Sequence, residues 1–208
     1  MKVLLATRNG KKLAELHRIL DAAGAPVELV GLADVAAYPE VPETGLAFAD
    51  NALLKAREGV RSTGLPTVAD DSGLAVDALS GAPGVFSARW AGGHGDDLAN
   101  LELLLAQLSD VPDEHRGAAF VCAAALVLPD GREWTVEREW RGRLVRAPRG
   151  SGGFGYDPIF VADGAPVAGG RALTNAELPP AEKDAASHRG QAFRALAEIL
   201  AELARPAL

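Results

Sequence analysis

The first apolar run, "KVLLA" (2–6), is short and unbroken, and reads as a buried strand. The period then changes. Leu13, Leu16, Ile19 and Leu20 recur at helical spacing and predict a helix from about Gly10 to Ala23. "APVELVGL" predicts a second strand, and "VPET" a loop. A second amphipathic helix is predicted over 46–62, with Phe48, Ala52, Ala56 and Val60 along one stripe and Gly64 and Pro66 ending it. A short strand at about 67–69 leads into "DDSG", where the composition predicts a bend at Ser72-Gly73. A third helix is expected over about 96–108.

The second half reads differently. "GAAFVCAAALVL" and "EWTVEREWRGRLV" flank "PDG" (129–131), which predicts an antiparallel hairpin. Glycine and proline dominate 148–158, and a last helix is predicted from about Gln191 to Ala204, with Phe193, Leu196, Ile199, Leu200 and Leu203 on one side. No repeat, low-complexity tract or linker divides the chain. Early strand–helix alternation followed by a hairpin predicts an α/β fold with a mixed sheet rather than a purely parallel one. The 208 residues suffice for one domain, 1–208, or one domain with two lobes around a cleft.

Composition narrows the function. A formal net charge of −7 argues against loose binding to nucleic acid or an anionic membrane, but leaves room for a local basic pocket. The apolar run in "MKVLLATRNGKK" is too short for a signal peptide, and no stretch reaches the length of a membrane span. The single cysteine, Cys122, sits in an apolar run and reads as a buried thiol; with no internal disulfide available, a cytoplasmic protein is expected. Histidines 17, 94, 115 and 188 lack close metal-ligand spacing, which speaks against zinc. Only five of the 21 basic residues are lysines (2, 11, 12, 55 and 183), so their placement carries weight.

Five stretches concentrate chemistry. In "TVADDSGLAVD", Asp70 and Asp71 are adjacent. Neighbouring anions repel unless a cation or a shared proton offsets them, while a plain turn would also use these residues. In "TRNGKKLAEL", the loop Thr7-Arg8-Asn9-Gly10 meets a helix that opens on Lys11-Lys12. Cations oppose the dipole there, and an anionic ligand would remove the conflict; solvated lysines on a capped helix are the plain alternative. The P-loop pattern is absent. In "ETGLAFADNALLKA", Glu43 precedes a helix on which Asn51 and Lys55 stack four residues apart, suited to a metal–phosphate site or to a solvated face.

"GSGGFGYDPIF" matches G-x-G-x-x-G from Gly150 to Gly155, but Pro158 follows and the chain looks extended, so it does not open a dinucleotide-binding helix. It reads instead as a flexible loop carrying Phe154 and Asp157 to a base, or as a structural loop with a buried ring. "EKDAASHRG" places Lys183, His188 and Arg189 just before the last helix, as donors to phosphate and carbonyl or as part of a cap. These clusters fall at element boundaries, where open-sheet α/β proteins place ligands. Glu43, Asp70 and Asp71 could hold Mg²⁺, a hard cation often shared with phosphates. Together these features point to a nucleoside triphosphate site.

In order along the chain, "LATRNGKKLAEL", "ETGLAFADNALLKAR", "ADDSGLAVDALSGAPGVFSARWAG", "GGFGYDPIF" and "EKDAASHRGQA" resemble the non-canonical purine nucleoside triphosphate pyrophosphatases, which hydrolyse ITP, dITP and XTP. The resemblance implies an elongated mixed sheet with flanking helices in two lobes around a central cleft, and a homodimer. It implies Mg²⁺-dependent cleavage between the α- and β-phosphates of a small-molecule nucleotide, cleansing the nucleotide pool. By motif, Thr7, Arg8, Asn9, Gly10, Lys11 and Lys12 cradle the triphosphate with Lys55 and Lys183. Glu43 and Asp71 hold the metal, with Asp70 able to join them, and Asp71 accepts a proton from the attacking water. Ser72 contacts substrate, Phe154 stacks on the base beside Gly155 and Tyr156, and Asp157, His188 and Arg189 read its edge.

A donor aimed at a 6-keto oxygen would meet a donor in adenine, and an unpaired buried donor costs ~1–3 kcal/mol. The segment 161–180, with "GGRALTN", departs from the family pattern. Two rivals stand beside this reading: a pyrimidine triphosphate pyrophosphatase, and a nucleotide-binding module without catalysis.

Overall fold

The computed structural model describes residues 1–8, 10–24 and 27–204, and of Lys11 and Lys12 the backbone alone. Strand β1 (Lys2–Leu5) runs parallel to β2 (Glu28–Gly31), with Lys2 opposite Glu28 and Leu5 opposite Gly31. It also runs parallel to β3 (Thr67–Val76), with Leu5 opposite Val68. Helix α1 (Gly10–Ala22) connects β1 to β2, and α2 (Phe48–Thr63) leads into β3. After α3 (Asp97–Gln107), β4 (Gly117–Val127) and β5 (Glu133–Leu144) are neighbours joined through 128–132, a connection too short for anything but a reversal. Strand β6 (Phe160–Ala162) is antiparallel to β5 and completes a six-stranded sheet in the order β2-β1-β3-β4-β5-β6. A separate two-stranded ribbon, β7 (Val167–Ala168) with β8 (Arg171–Ala172), precedes α4 (Pro180–Ala186) and α5 (His188–Leu203). The sheet is mixed, as the strand pattern predicts.

The chain divides into two compact units. One comprises Met1–Asp71, Cys122–Arg138 and the chain from Arg189 onward; the other comprises Ser72–Val121 and Glu139–His188. In the first unit, period-2 alternation sends Cys122, Ala124 and Leu126 of β4 into a core with Leu16, Ile19, Phe193 and Leu196. The intervening Ala123, Ala125 and Val127 pack with Ala52 and Ala56 of α2. Both faces of this part of β4 are therefore covered, which is why its sequence is uninterruptedly apolar. The second unit packs Leu74, Val76, Leu101, Leu104, Phe120, Tyr156 and Phe160 together. Arg116, 2% exposed, donates to the carbonyls of Leu108, Leu144 and Val145 and so ties the end of α3 to the end of β5.

Three local expectations change. Strand β3 does not bend at Ser72-Gly73 but runs through the aspartate pair to Val76. Turn propensity is a weak local preference, and sheet pairing with burial overrides it. The 148–158 loop is not extended: Gly150, Gly153 and Gly155 all have positive φ, and a 3-10 turn follows at Asp157–Ile159. Helix α5 opens at His188, because only Ser187, extended at φ −64° and ψ 154°, separates it from α4. Lys183 is thus on α4, while His188 and Arg189 lie in the first turn of α5 rather than before it.

Candidate active site

Successive side chains of a strand point to opposite faces, and β3 uses this to part its two aspartates. Asp70, 2% exposed, lies with its Oδ2 3.6 Å from Arg189 Nε. Arg189 also donates through Nη1 to Glu15 Oε2 on α1, so one buried guanidinium serves two buried carboxylates. Burial pulls the Arg189 pKa down, but Glu15 and Asp70 outweigh it and the pKa ends raised.

Asp71, 6% exposed, has different partners. Asn51 Nδ2 donates to its Oδ2 at 3.1 Å, and Lys55 Nζ lies 3.5 Å from its Oδ1. Lys55 also donates to Glu43 Oε1 at 2.9 Å. Asn51 and Lys55 share the α2 face that their four-residue spacing predicts. Glu43 arrives because the chain at Gly45 presses against α2: Gly45 N–H donates to Asn51 Oδ1 at 2.8 Å, and a Cβ at Gly45 would lie 2.7 Å from that oxygen. Burial lowers the Lys55 pKa, yet Asp71, Asp70 and Glu43 together leave it raised, and the ammonium stays charged.

The predicted phosphate loop is partly visible. Thr7 is half-buried after β1, and Gly10 opens α1. Arg8 is exposed, donating to Tyr38 O at 2.9 Å and lying 3.7 Å from Glu40. Asn9 and the side chains of Lys11 and Lys12 lie outside the described residues.

The second unit gathers Phe154, Asp157 and Lys183. Asp157, 3% exposed, accepts from Phe154 N–H at 2.9 Å and from Lys183 Nζ at 2.7 Å, with Asn175 Nδ2 at 3.4 Å. Lys183 Nζ sits 5.0 Å from the centroid of the half-buried Phe154 ring, a cation–π contact. Gly155 N–H donates to Asp97 Oδ2 at 3.0 Å, and the buried Tyr156 hydroxyl donates to Ser87 O at 2.9 Å. The loop expected to be flexible is thus fastened at several points. His188 stacks on Phe120 with centroids 5.0 Å apart, and Ser72 is half-buried in β3.

The structure therefore joins Glu43, Lys55 and Asp71 in one group, Asp70 and Arg189 in another, and Phe154, Asp157 and Lys183 in a third. It adds Glu15, Asp97 and Asn175 to the predicted residues. Glu15 had a signal: it lies four residues before Ile19, on the apolar side of α1, where a carboxylate is costly without a partner. Asp97 had none, because it reads as one of two acidic residues at a helix start.

Among the described residues, no group of three or more His, Cys, Asp or Glu is arranged to hold a metal ion. Two carboxylates do converge. Glu43 and Asp71 present hard oxygen donors around the single point occupied by Lys55 Nζ. Such a pair suits Mg²⁺, which commonly takes one or two protein carboxylates and completes its shell with phosphate and water.

A model of the Ham1 family matches residues 3–199. A dITP/XTP pyrophosphatase of Nocardia farcinica is 64% identical over 204 residues, covering 98% of this chain and 96% of that protein. One from Corynebacterium efficiens is 60% identical, covering 98% of this chain and 99% of that protein. Among solved structures, a nucleoside-triphosphatase / dITP/XTP pyrophosphatase from Mycobacterium abscessus is 64% identical with a TM-score of 0.74, over 94% of this chain and 98% of that one. A HAM1 protein from Coxiella burnetii is 39% identical with a TM-score of 0.85, over 97% of this chain and 99% of that one.

Proposed function

The chain belongs to the Ham1 family, and on that footing we propose that it hydrolyses dITP, ITP and XTP to the nucleoside monophosphate and pyrophosphate. The relatives' names support the substrate class. The observation that carries the chemistry is the placing of Lys55 between Glu43 and Asp71, a cation and two carboxylates around one point.

Glu43 and Asp71 would hold Mg²⁺, which when bound supplies charge neutralisation for the phosphates. The chain's own residues do the rest. Lys55, kept charged by its acidic neighbours, takes a phosphate oxygen. Asp71, with one oxygen steadied by Asn51, accepts the proton of the attacking water. Thr7, Arg8, Asn9, Gly10, Lys11 and Lys12 cradle the triphosphate, and Ser72 adds a contact. Phe154, with Lys183 against its ring, stacks on the base. Asp157 is committed to Phe154 N–H and Lys183, so its part is to hold the platform. Gly155 and Tyr156 fix the same loop through Asp97 and Ser87, and His188 serves the base side at the start of α5, with Arg189 beside it committed to Glu15 and Asp70. We take residues 1–208 as one catalytic domain of two lobes, acting as a cytoplasmic homodimer that cleanses the nucleotide pool.

The test is pyrophosphate release from dITP, ITP, XTP, dUTP and ATP, with Mg²⁺ and with EDTA. Release from the first three should exceed that from ATP by roughly tenfold to hundredfold, the value of one unpaired buried donor. Equal release from ATP would sink the base class, and release undiminished by EDTA would remove the metal. No release from any nucleotide would leave a binding module.

Asp97→Ala tests the platform. Removing the acceptor of Gly155 N–H should raise KM for dITP roughly tenfold, the size of a hydrogen bond to a charged group, with kcat within about twofold. An unchanged KM would show that the loop is held without Asp97.

A further inference from the structure

The second unit contains an open pocket of about 480 Å³ that none of the candidate active-site residues lines. Arg143, Val145, Ala147 and Arg149 line it from the end of β5 onward, and Gly170, Arg171 and Ala172 line it from the ribbon. Arg171 and Ala172 belong to "GGRALTN", the stretch that departs from the family pattern.

Three arginines thus line one pocket in a chain whose net charge is −7. The carboxylate that meets them is Glu177, which takes Arg171 through two bonds of 2.8 and 2.6 Å and lies 3.9 Å from Arg149 Nε. Glu177 also accepts Thr174 N–H at 2.9 Å, and these bonds hold its pKa down to about 2, so it remains an anion with its capacity largely used. Arg149 spends Nη2 on Ala172 O at 3.1 Å, while its buried Nε has no hydrogen-bond acceptor. Arg143 is exposed on β5, and no ion pair of its side chain occurs among the described residues. An excess of positive charge raises the free energy until an anion arrives.

We infer that this pocket binds a phosphomonoester, its phosphate on Arg143 and Arg149 and its organic body against Val145, Ala147 and Ala172. Guanidinium forks match the oxygens of phosphate better than any other side chain. The volume exceeds what a bare phosphate fills and falls in the small-molecule range of roughly 300–1,000 Å³. The apolar wall gives the remainder of such a ligand a place. The inference is independent of the nucleotide chemistry proposed above.

The probe is ribose 5-phosphate, which lacks a base and a triphosphate, titrated into the ¹⁵N-labelled full chain. Saturable shifts are expected at the amides of Val145, Gly170 and Ala172, with inorganic phosphate roughly tenfold weaker and ribose inert. Arg143→Ala should weaken ribose 5-phosphate at least roughly fivefold, while dITP turnover and the thermal midpoint stay at wild-type values. Phosphate binding as tightly as ribose 5-phosphate would overturn the assignment to an organic phosphate. Absence of saturable shifts, equal shifts from chloride at matched ionic strength, or unchanged affinity in Arg143→Ala would overturn the site. The amide shifts are read without turnover, so failure of the nucleotide reading would not be confused with failure of this one.

Discussion

Asp71→Asn is expected to lower pyrophosphate release from dITP by roughly 10²–10⁴-fold, the usual contribution of a positioned general base. The substitution keeps the shape of the side chain and leaves an oxygen to accept from Asn51 Nδ2, now 3.1 Å from the carboxylate. What it removes is the proton acceptor, one anionic ligand for the metal and one negative charge beside Lys55. Affinity for a non-hydrolysable dITP analogue should therefore change by less than about tenfold, since a neutral neighbour repels a triphosphate less than an anion does. Rapid-quench turnover and calorimetric affinity separate the two effects. Near-normal turnover would falsify the role of Asp71. Loss of affinity in step with turnover would make it a binding residue instead.

The second large effect concerns stability. Arg189→Ala should destabilise the fold by about 3–5 kcal/mol at neutral pH, because it removes the buried cation that Glu15 and Asp70, each 2% exposed, share. For a chain of this length that is a fall in Tm on the order of 10 °C. Urea unfolding of wild type and variant at neutral pH measures the deficit, and a loss below about 1 kcal/mol would show that the two carboxylates do not depend on this guanidinium.

The elements were largely legible. The stripes Leu13–Leu20 and Phe48–Val60 report helices because burial of one face repeats every 3.6 residues. The unbroken "AAFVCAAALVL" reports a strand covered on both sides in the first unit, where its alternate residues enter two different clusters. The stacking of Asn51 on Lys55 was legible for the same reason: four residues along a helix is a local distance. Lys55 meets Glu43 across twelve residues and Asn51 meets Asp71 across twenty, and these meetings were legible only as candidates on separate elements. Glu15 and Arg189 meet across 174 positions, which no local pattern encodes.

By itself, then, the sequence determined the mixed α/β architecture, the ordered motifs and the list of charged side chains able to do phosphate chemistry. Only the tertiary structure decided which cation each aspartate receives. As neighbours in sequence, Asp70 and Asp71 look like one anionic pair in need of a shared partner. Inside a continuous β3 the pleat turns them to opposite faces, so Asp70 meets Arg189 from α5 while Asp71 meets Lys55 and Asn51 from α2. Which partner waits on each face depends on how helices far apart in the chain pack against the strand, and that information is not carried by either aspartate or its neighbours.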